Sequence, residues 1–259
     1  MLIDTHAHLN ITELKFNAKT IVNAMARDNL LALVVPSFNM EASRIAYEQA
    51  KDFEPVFAAL GVHPHHASSF NAEAAEFLAK NAEHKKVVAI GEIGLDYFRN
   101  LSPVNSQRHA MLKQMEIAKK FNLPVIFHVR NAFDDFFKLI EENSYLLTKG
   151  VVHCFPGGAR EAEKALELGL MISFTGNITY KKSEPIAEAA KIIPLNRIMV
   201  ETDCPYLAPG AERGKTCYPR YVVEVARKLA EIKGISFEEV AKATTENALN
   251  FFSKMRGQV

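Results

Sequence analysis

Eight short apolar runs, rich in β-branched residues, alternate with helix-like segments along the whole chain. The helix-like segments repeat their apolar residues about every 3.6 positions, as in a helix that packs one face against a sheet. This alternation is typical of a parallel sheet covered by helices. We therefore predict strands at 2–8, 31–36, 56–62, 87–91, 125–129, 151–155, 170–175 and 198–203.

The number of strands predicts an α/β fold of the (β/α)8 type, a TIM barrel, because eight parallel strands can close on themselves. The length of 259 residues suits one such barrel, and without a linker we expect a single domain, 1–259. An apolar helical stripe that starts at Val222 ends at Gly234, and Ser236 with Glu239 forms a capping box for a last helix. An open doubly wound sheet shows the same alternation, so the choice depends on where polar residues fall.

Composition excludes several classes of protein. The formal net charge of +1 lacks the strong positive field of a protein that grips long duplex nucleic acid. Three cysteines without a CxxC pair indicate neither a disulfide framework nor a thiolate zinc site. No apolar run reaches membrane-spanning length, and the N-terminus shows no charged leader. We expect a soluble, cytoplasmic protein without membrane contact.

Polar residues interrupt the first predicted strand at every second position. Asp4, His6 and His8 would share one face of that strand, the interior of the barrel, since side chains alternate along a strand. Two imidazoles spaced in this way can grip one metal ion. An isolated His-x-His pair also occurs among surface or core histidines, so this pair alone does not establish a metal site.

Four other predicted strands also end in a metal-competent side chain. Active sites of this fold lie at the carboxyl ends of the strands, so these side chains should converge. The predicted metal ligands are His6, His8, Glu92, His128, His153 and Asp203. Six donors are too many for one ion but suit two that share a carboxylate, for which Glu92 is the candidate. Nitrogen and oxygen donors suit Zn, Mn, Fe or Mg, and their softness does not choose among these.

A pair of divalent metal ions activates a bound water near neutral pH and stabilises a leaving oxygen, which is the chemistry of hydrolysis. Asp203, at the end of the eighth strand, is the natural group to take the proton from the attacking water. Glu92 and Asp203 are therefore the predicted catalytic residues. Any polyanionic substrate would be held locally, because the whole chain is nearly neutral.

Six motifs carry a resemblance to a known family. They are DTHAHL at 4–9, AALGVHPH at 58–65, AIGEIGLDY at 89–97, PVIFHVR at 124–130, VVHCFPG at 151–157 and VETDCPYLAP at 200–209. Over nearly its whole length the chain resembles the TatD-type metal-dependent deoxyribonucleases of the amidohydrolase-like barrel superfamily.

The resemblance implies Mg-dependent cleavage of DNA phosphodiesters from a 3′ end, with the same six residues as metal ligands. By the same matching, His63 and Arg130 approach the scissile phosphate and Tyr97 forms part of the pocket wall. Arg213 and Lys215 match a basic pair that follows the LAP motif and would contact substrate. After Lys215 the family's Arg-Asn-Glu-Pro is replaced by 216–219, Thr-Cys-Tyr-Pro, which bears on the choice of substrate.

Other candidate residues have plainer interpretations. We expect His65, His66, His84 and His109 to be solvated. Cys154 and Cys204 each follow a predicted ligand and should point to the opposite face, into the core. Arg99, Arg108 and Arg160 suit either a phosphate groove or a solvated surface. Of the aromatics near strand ends, Phe155, Phe174 and Tyr206, we expect most to pack in the core although each could stack a nucleobase.

Three functions remain open from the sequence. The first is a phosphodiesterase acting on single-stranded or frayed DNA ends, with DNA ends as its partner. The second is a hydrolase of esters or amides on the same barrel, such as an aminoacyl-tRNA deacylase. The third is a binding protein that has kept the barrel without catalysis. The sequence indicates no protein partner.

Overall fold

The computed structural model describes residues 1–259 and contains one sheet of eight parallel strands in sequential order, β1 to β8. The first and last strands meet: Ala7 and Cys204 form a parallel bridge, and the amide of Asp203 donates to the carbonyl of His6 at 2.8 Å. The sheet therefore closes, and its strand order has no reversal. The predicted TIM barrel is therefore confirmed, and the alternative of an open doubly wound sheet is excluded.

All eight predicted strands are present, with different ends. The strands are β1 Leu2–Asp4, β2 Leu30–Pro36, β3 Val56–Leu60, β4 Val87–Asp96, β5 Val125–Arg130, β6 Gly150–Val152, β7 Met171–Phe174 and β8 Ile198–Val200. The prediction that Asp4, His6 and His8 lie in one strand is wrong, because β1 ends at Asp4. The two histidines lie in the segment that follows. Strand β4, by contrast, is longer than predicted and continues five residues past Gly91.

Ten α-helices surround the barrel. They are α1 Thr12–Lys15, α2 Ala18–Ala24, α3 Met40–Asp52, α4 Ala72–Asn81, α5 Val104–Lys120, α6 Phe133–Glu142, α7 Ala159–Glu167, α8 Glu184–Ile192, α9 Val222–Lys233 and α10 Phe237–Phe251. The apolar stripe of α9 ends as predicted at Gly234, whose φ of 64° is in the left-handed region. The predicted capping box of α10 is confirmed: Ser236 Oγ accepts from the Glu239 amide at 3.2 Å, and Glu239 Oε2 accepts from the Ser236 amide at 2.9 Å. No helix combines the length and apolar character needed to cross a bilayer.

Two apolar layers hold the barrel together. The larger layer lies between strands and helices, where burial of the helix stripes against the sheet stabilises the fold. The smaller layer fills the barrel interior with side chains such as Val34, Phe57 and Met199. Phe251 and Phe252 belong to this smaller layer, so the C-terminal helix closes the amino ends of the strands. The carboxyl ends remain open.

Candidate metal centre

A cavity of about 670 Å³ lies at the carboxyl ends of the strands. Five of the six predicted metal ligands line it directly, namely His8, Glu92, His128, His153 and Asp203. The sixth, His6, is fully buried just beneath them. The structure therefore brings together the complete predicted donor set, although the residues come from five separate parts of the chain.

His6, His8 and Asp203 form one half of the cluster. The two histidine Nε2 atoms lie 3.3 Å apart. Asp203 Oδ1 lies 3.7 Å from Nε2 of His6 and 3.4 Å from Nε2 of His8. The segment after β1 places both imidazoles here, since it pairs with the segment after β8 through the backbone contacts that close the barrel.

His128 and His153 form the other half. Nδ1 of His128 lies 3.3 Å from Nε2 of His153. The His153 ring is also stacked on the His6 ring, with centroids 4.0 Å apart. His63, Glu92 and His128 offer ligand atoms that all lie within 4.8 Å of one another.

The Glu92 carboxylate lies between the two halves. Its Oε1 is 3.5 Å from Nε2 of His8. Its Oε2 is 2.9 Å from Nε2 of His153 and 3.6 Å from Nε2 of His6. Donors of both halves therefore surround the Glu92 carboxylate, an arrangement that a bridging ligand would need.

The donor set fits divalent metal ions. Two ligand atoms on one tetrahedral ion, each about 2.0–2.1 Å from it, lie about 3.4 Å apart, and the N–N and N–O separations around His8 cluster near this value. The Nε2 atoms of the buried His6 and His8 rings face each other and the carboxylates of Glu92 and Asp203, an arrangement of lone pairs that a cation would hold together. His6, His8 and Asp203 alone could hold one ion.

The carboxylates of the cluster stay ionised. Burial raises the pKa of Glu92, but the neighbouring His6 and His153 outweigh it and hold that pKa well below its usual value. Burial also raises the pKa of Asp203, and the hydrogen bond from His8 with the charges of nearby imidazoles lowers it further than burial raises it. Two carboxylates therefore remain negative in a buried site, which attracts cations.

Two acidic residues outside the predicted set support the ligands. Asp96 Oδ2 lies 3.0 Å from Nε2 of His128. Glu201 Oε1 lies 3.5 Å from Nδ1 of His153, and it accepts a hydrogen bond from the Cys154 amide at 2.6 Å. A signal for both was in the sequence: Asp96 is four residues after Glu92 on the same strand face, and Glu201 is two residues before Asp203.

The predicted substrate contacts divide into two groups. His63 and Arg130 line the cavity beside the cluster. Tyr97 is not among the lining residues, since its hydroxyl donates a hydrogen bond to Asp135. Arg213 and Lys215 lie outside the cavity, on the loop after β8.

Arg213 and Lys215 contact residues outside the cavity. The Arg213 guanidinium lies 4.5 Å from the centre of the Tyr180 ring. Lys215 Nζ forms an ion pair with Glu212 at 2.9 Å. The structure thus brings His63 and Arg130 to the metal centre and leaves these two basic residues at a distance from it.

Several plainer interpretations need correction. Cys154 lines the cavity rather than the core, because β6 ends at Val152 and a φ of 45° turns the thiol back. His65 is not simply solvated, since its Nε2 lies 2.8 Å from Asp96 Oδ2. His66 is exposed, as expected, where it lines the cavity.

Other interpretations are confirmed. Cys204 is fully buried, and so are Phe155 and Phe174, whereas Tyr206 is 51% exposed at the cavity. His109 is exposed as expected, whereas His84 is half-buried against the Tyr47 ring rather than solvated.

Of the three arginines left open, only Arg99 lines the cavity. Arg108 and Arg160 pair with Asp135 and Asp134 outside it.

Comparisons with known proteins agree with this geometry. Residues 3–253 match the protein family described as TatD related DNase. The metal-dependent hydrolase YabD of Bacillus subtilis is 37% identical over 97% of this chain and 99% of its own length. The 3′-5′ ssDNA/RNA exonuclease TatD of Pantoea ananatis is 30% identical, again over 97% of this chain and 99% of its own.

A solved structure extends the agreement to the backbone. The TatD homologue YjjV of Escherichia coli K12 superposes with a TM-score of 0.91 at 29% sequence identity. The superposition covers 97% of this chain and 98% of that protein. The backbone fold is therefore shared along nearly the full length.

Proposed function

This chain belongs to the family of TatD-related DNases, whose members include metal-dependent hydrolases, and we propose that it is a 3′-5′ exodeoxyribonuclease. Its substrate in this proposal is the 3′ end of single-stranded or frayed DNA, from which it removes nucleotides by hydrolysis of phosphodiester bonds. We further propose that residues 1–259 act as one hydrolase domain. The relative from Pantoea ananatis, whose name states a 3′-5′ exonuclease of single-stranded DNA and RNA, supports this choice of substrate.

The position of Glu92 between two groups of imidazoles carries the proposal. His6 and His8 with Asp203 would hold one divalent cation, and His128 with His153 would hold the other. Glu92 lies between the two groups. Two such cations, Mg, Mn or Zn, would supply activation of water near neutral pH and neutralisation of charge on a reacting phosphate. Phosphoryl chemistry needs that neutralisation more than the hydrolysis of a neutral amide does.

The residues of the chain would share the remaining work. Asp203 remains ionised, so it can accept the proton of the attacking water. Arg130 and His63 line the cavity and would position the scissile phosphate. Arg213 and Lys215 lie outside the cavity and would contact the strand farther from the scissile bond.

Tyr97 would contribute by holding the segment after β4 in place rather than by contact with substrate. Its hydroxyl is bound to Asp135, which also pairs with Arg108, so this group fixes the segment after β4.

The three free cysteines agree with the reducing, cytoplasmic location that we propose.

The experiment is cleavage of a single-stranded DNA oligomer labelled at either its 3′ or its 5′ end. The wild-type protein is assayed with Mg²⁺, Mn²⁺ or Zn²⁺ and with chelator, beside His128→Ala and Asp203→Asn. His109→Ala is the matched control, because His109 is exposed on α5. We expect metal-dependent shortening from the 3′ end that both site variants lose and the control keeps.

Failure of this experiment has a defined meaning. If the metal-loaded protein leaves DNA intact, the exonuclease proposal is wrong. The same preparation is then assayed on aminoacyl-tRNA and simple esters. Metal-dependent release of the amino acid would favour the ester and amide hydrolase that the sequence left open.

A further inference from the structure

Two exposed aromatic rings lie beside the cavity: Tyr206 lines it, and Phe98 stacks on Arg130, which lines it. Phe98 is 57% exposed and Tyr206 is 51% exposed. An exposed aromatic ring beside a cavity can stack on a planar ligand, whereas a single exposed ring elsewhere on the surface needs no such partner. Phe98 follows β4 and Tyr206 follows β8, and these two strands lie opposite each other in a closed barrel of eight. The rings therefore flank the opening from opposite sides.

The Phe98 ring carries a cation on one face. The guanidinium carbon of Arg130 lies 4.0 Å from the centre of that ring. Arg130 also lines the cavity, where Arg99 joins it. Neither arginine pairs with a carboxylate, in contrast to Arg108, which is bound to Asp135. A stacked arginine with its hydrogen-bonding edge free can bind a phosphate while the aromatic ring stays available to a base.

The Tyr206 ring lies close to the metal centre. Its centroid is 6.4 Å from that of His8. The Tyr206 amide donates to the carbonyl of Asp203 at 3.0 Å, so the backbone of this residue is fixed beside the proposed proton acceptor. A planar group of the substrate next to the reacting phosphate would therefore meet the Tyr206 face.

We propose that Phe98 and Tyr206 are stacking platforms for unpaired nucleobases on the two sides of the scissile phosphate. This inference rests on the proposed function and names what the site selects: single-stranded ends with exposed base faces. Every nucleobase has such a face, so the platforms favour no particular sequence. Paired bases within a duplex present their faces to each other, and a small acyl ester offers no second ring.

The first test measures binding without chemistry. A single-stranded oligomer with 2-aminopurine at its last two 3′ positions is titrated with the full chain in the presence of chelator. We expect fluorescence quenching, because a stacked 2-aminopurine loses emission. Phe98→Leu and Tyr206→Leu should each weaken binding about 5- to 100-fold, the range expected for loss of one base stack.

Matched variants separate stacking from general damage. Tyr206→Phe keeps a ring and should retain near-wild-type binding. Tyr145→Leu removes a ring that is 68% exposed in the connection between α6 and β6, at the opposite end of the barrel, and should change nothing. Equal affinity of wild type and both site leucine variants would overturn the proposal, and so would equal weakening by the Tyr145 variant.

The second test uses the active protein. Oligomers with normal or abasic nucleotides at the last two 3′ positions are compared by kcat/KM. The abasic change should lower kcat/KM of the wild type at least tenfold and that of a Phe98→Leu, Tyr206→Leu double variant much less. Equal penalties in both proteins would overturn the platforms while leaving the nuclease intact. Quenching without any cleavage would instead support the platforms and reject the proposed nuclease.

Discussion

Asp96 Oδ2 lies 3.0 Å from Nε2 of His128, so the His128 ring turns its Nδ1 toward the metal centre, 3.3 Å from Nε2 of His153. A carboxylate behind a ligating imidazole fixes the ring and raises its basicity. The Asp96 carboxylate is itself held by the Arg99 amide at 2.7 Å. The sequence predicted His128 as a metal ligand, and its contact with Asp96 shows that Nδ1 is the nitrogen that faces the cluster.

Asp96→Asn should weaken metal binding. The amide is the same size but uncharged, so it supports His128 less well, and we expect about a 10- to 100-fold loss of affinity. Calorimetric titration of the metal-free protein with Mn²⁺ or Zn²⁺ measures it. Asp135→Asn serves as the control, because that carboxylate bonds to Tyr97 and Arg108 outside the cluster. Identical affinities for both variants would argue against a supporting role for Asp96.

Metal ions should stabilise the folded chain, because the donors come together only in the barrel. An ion at 100 times its dissociation constant adds about 2.7 kcal/mol to the free energy of unfolding. For a chain of this size that corresponds to a rise in Tm of about 5–10 °C. Thermal melting of the metal-free protein with Mg²⁺, Mn²⁺ or Zn²⁺ tests it. Glu92→Gln should lose most of the rise, and no rise with any of the three ions would contradict the proposed site.

Asp4 should give the metal-free protein a characteristic dependence of stability on pH. Burial raises the pKa of its carboxyl from 3.8 to about 8, against hydrogen bonds from Thr202 and the His6 amide. Between these values the unfolded chain has lost a proton that the folded chain keeps. Stability therefore falls as pH rises through this window, by up to about 1.4 kcal/mol per pH unit, and levels off above it.

Asp4→Asn should remove this component, because the amide is neutral in both states. Urea unfolding in chelator at pH 5 and at pH 8 gives the difference between variant and wild type. We expect the variant to gain stability relative to wild type at the higher pH. Asp134→Asn, an exposed change on α6, should show the same difference at both pH values. A difference for Asp4→Asn that does not change with pH would refute the assignment.

Gly94→Ala should disturb the metal centre, because it displaces the backbone of His128. A β-carbon on Gly94 would lie 2.0 Å from the carbonyl oxygen of His128, and φ at this residue is 141°. Strand β5 would have to move, so we expect a loss of more than about 3 kcal/mol together with weaker metal binding.

Gly169→Ala provides the matched control. Its φ of 76° is also in the region that favours glycine, but no atom lies within 4 Å of the added carbon. Its cost should be about 1 kcal/mol, from backbone strain alone, with metal affinity unchanged. Urea unfolding and calorimetry of both variants give the comparison, and equal effects would show that the contact with His128 is unimportant.

The sequence by itself determined the barrel and the residues at its open end. The strand and helix periods are local properties, and the carboxyl ends of parallel strands share one face. The strand-end positions of His6, His8, Glu92, His128, His153 and Asp203 are therefore enough to place these residues together. The capping box of α10 was equally local, since Ser236 and Glu239 are three residues apart.

Only the tertiary structure decided how the site is surrounded. Alternation of side chains holds only within extended backbone, so it failed for Cys154, where φ is 45° and the thiol turns to the cavity. Asp96 shares a strand face with Glu92, but which imidazole it contacts depends on the pairing of β4 with β5, since His128 is 32 residues away in sequence. The 57% exposure of Phe98 is likewise a property of the packed chain. Such relationships are set by packing between distant segments, which no local pattern encodes.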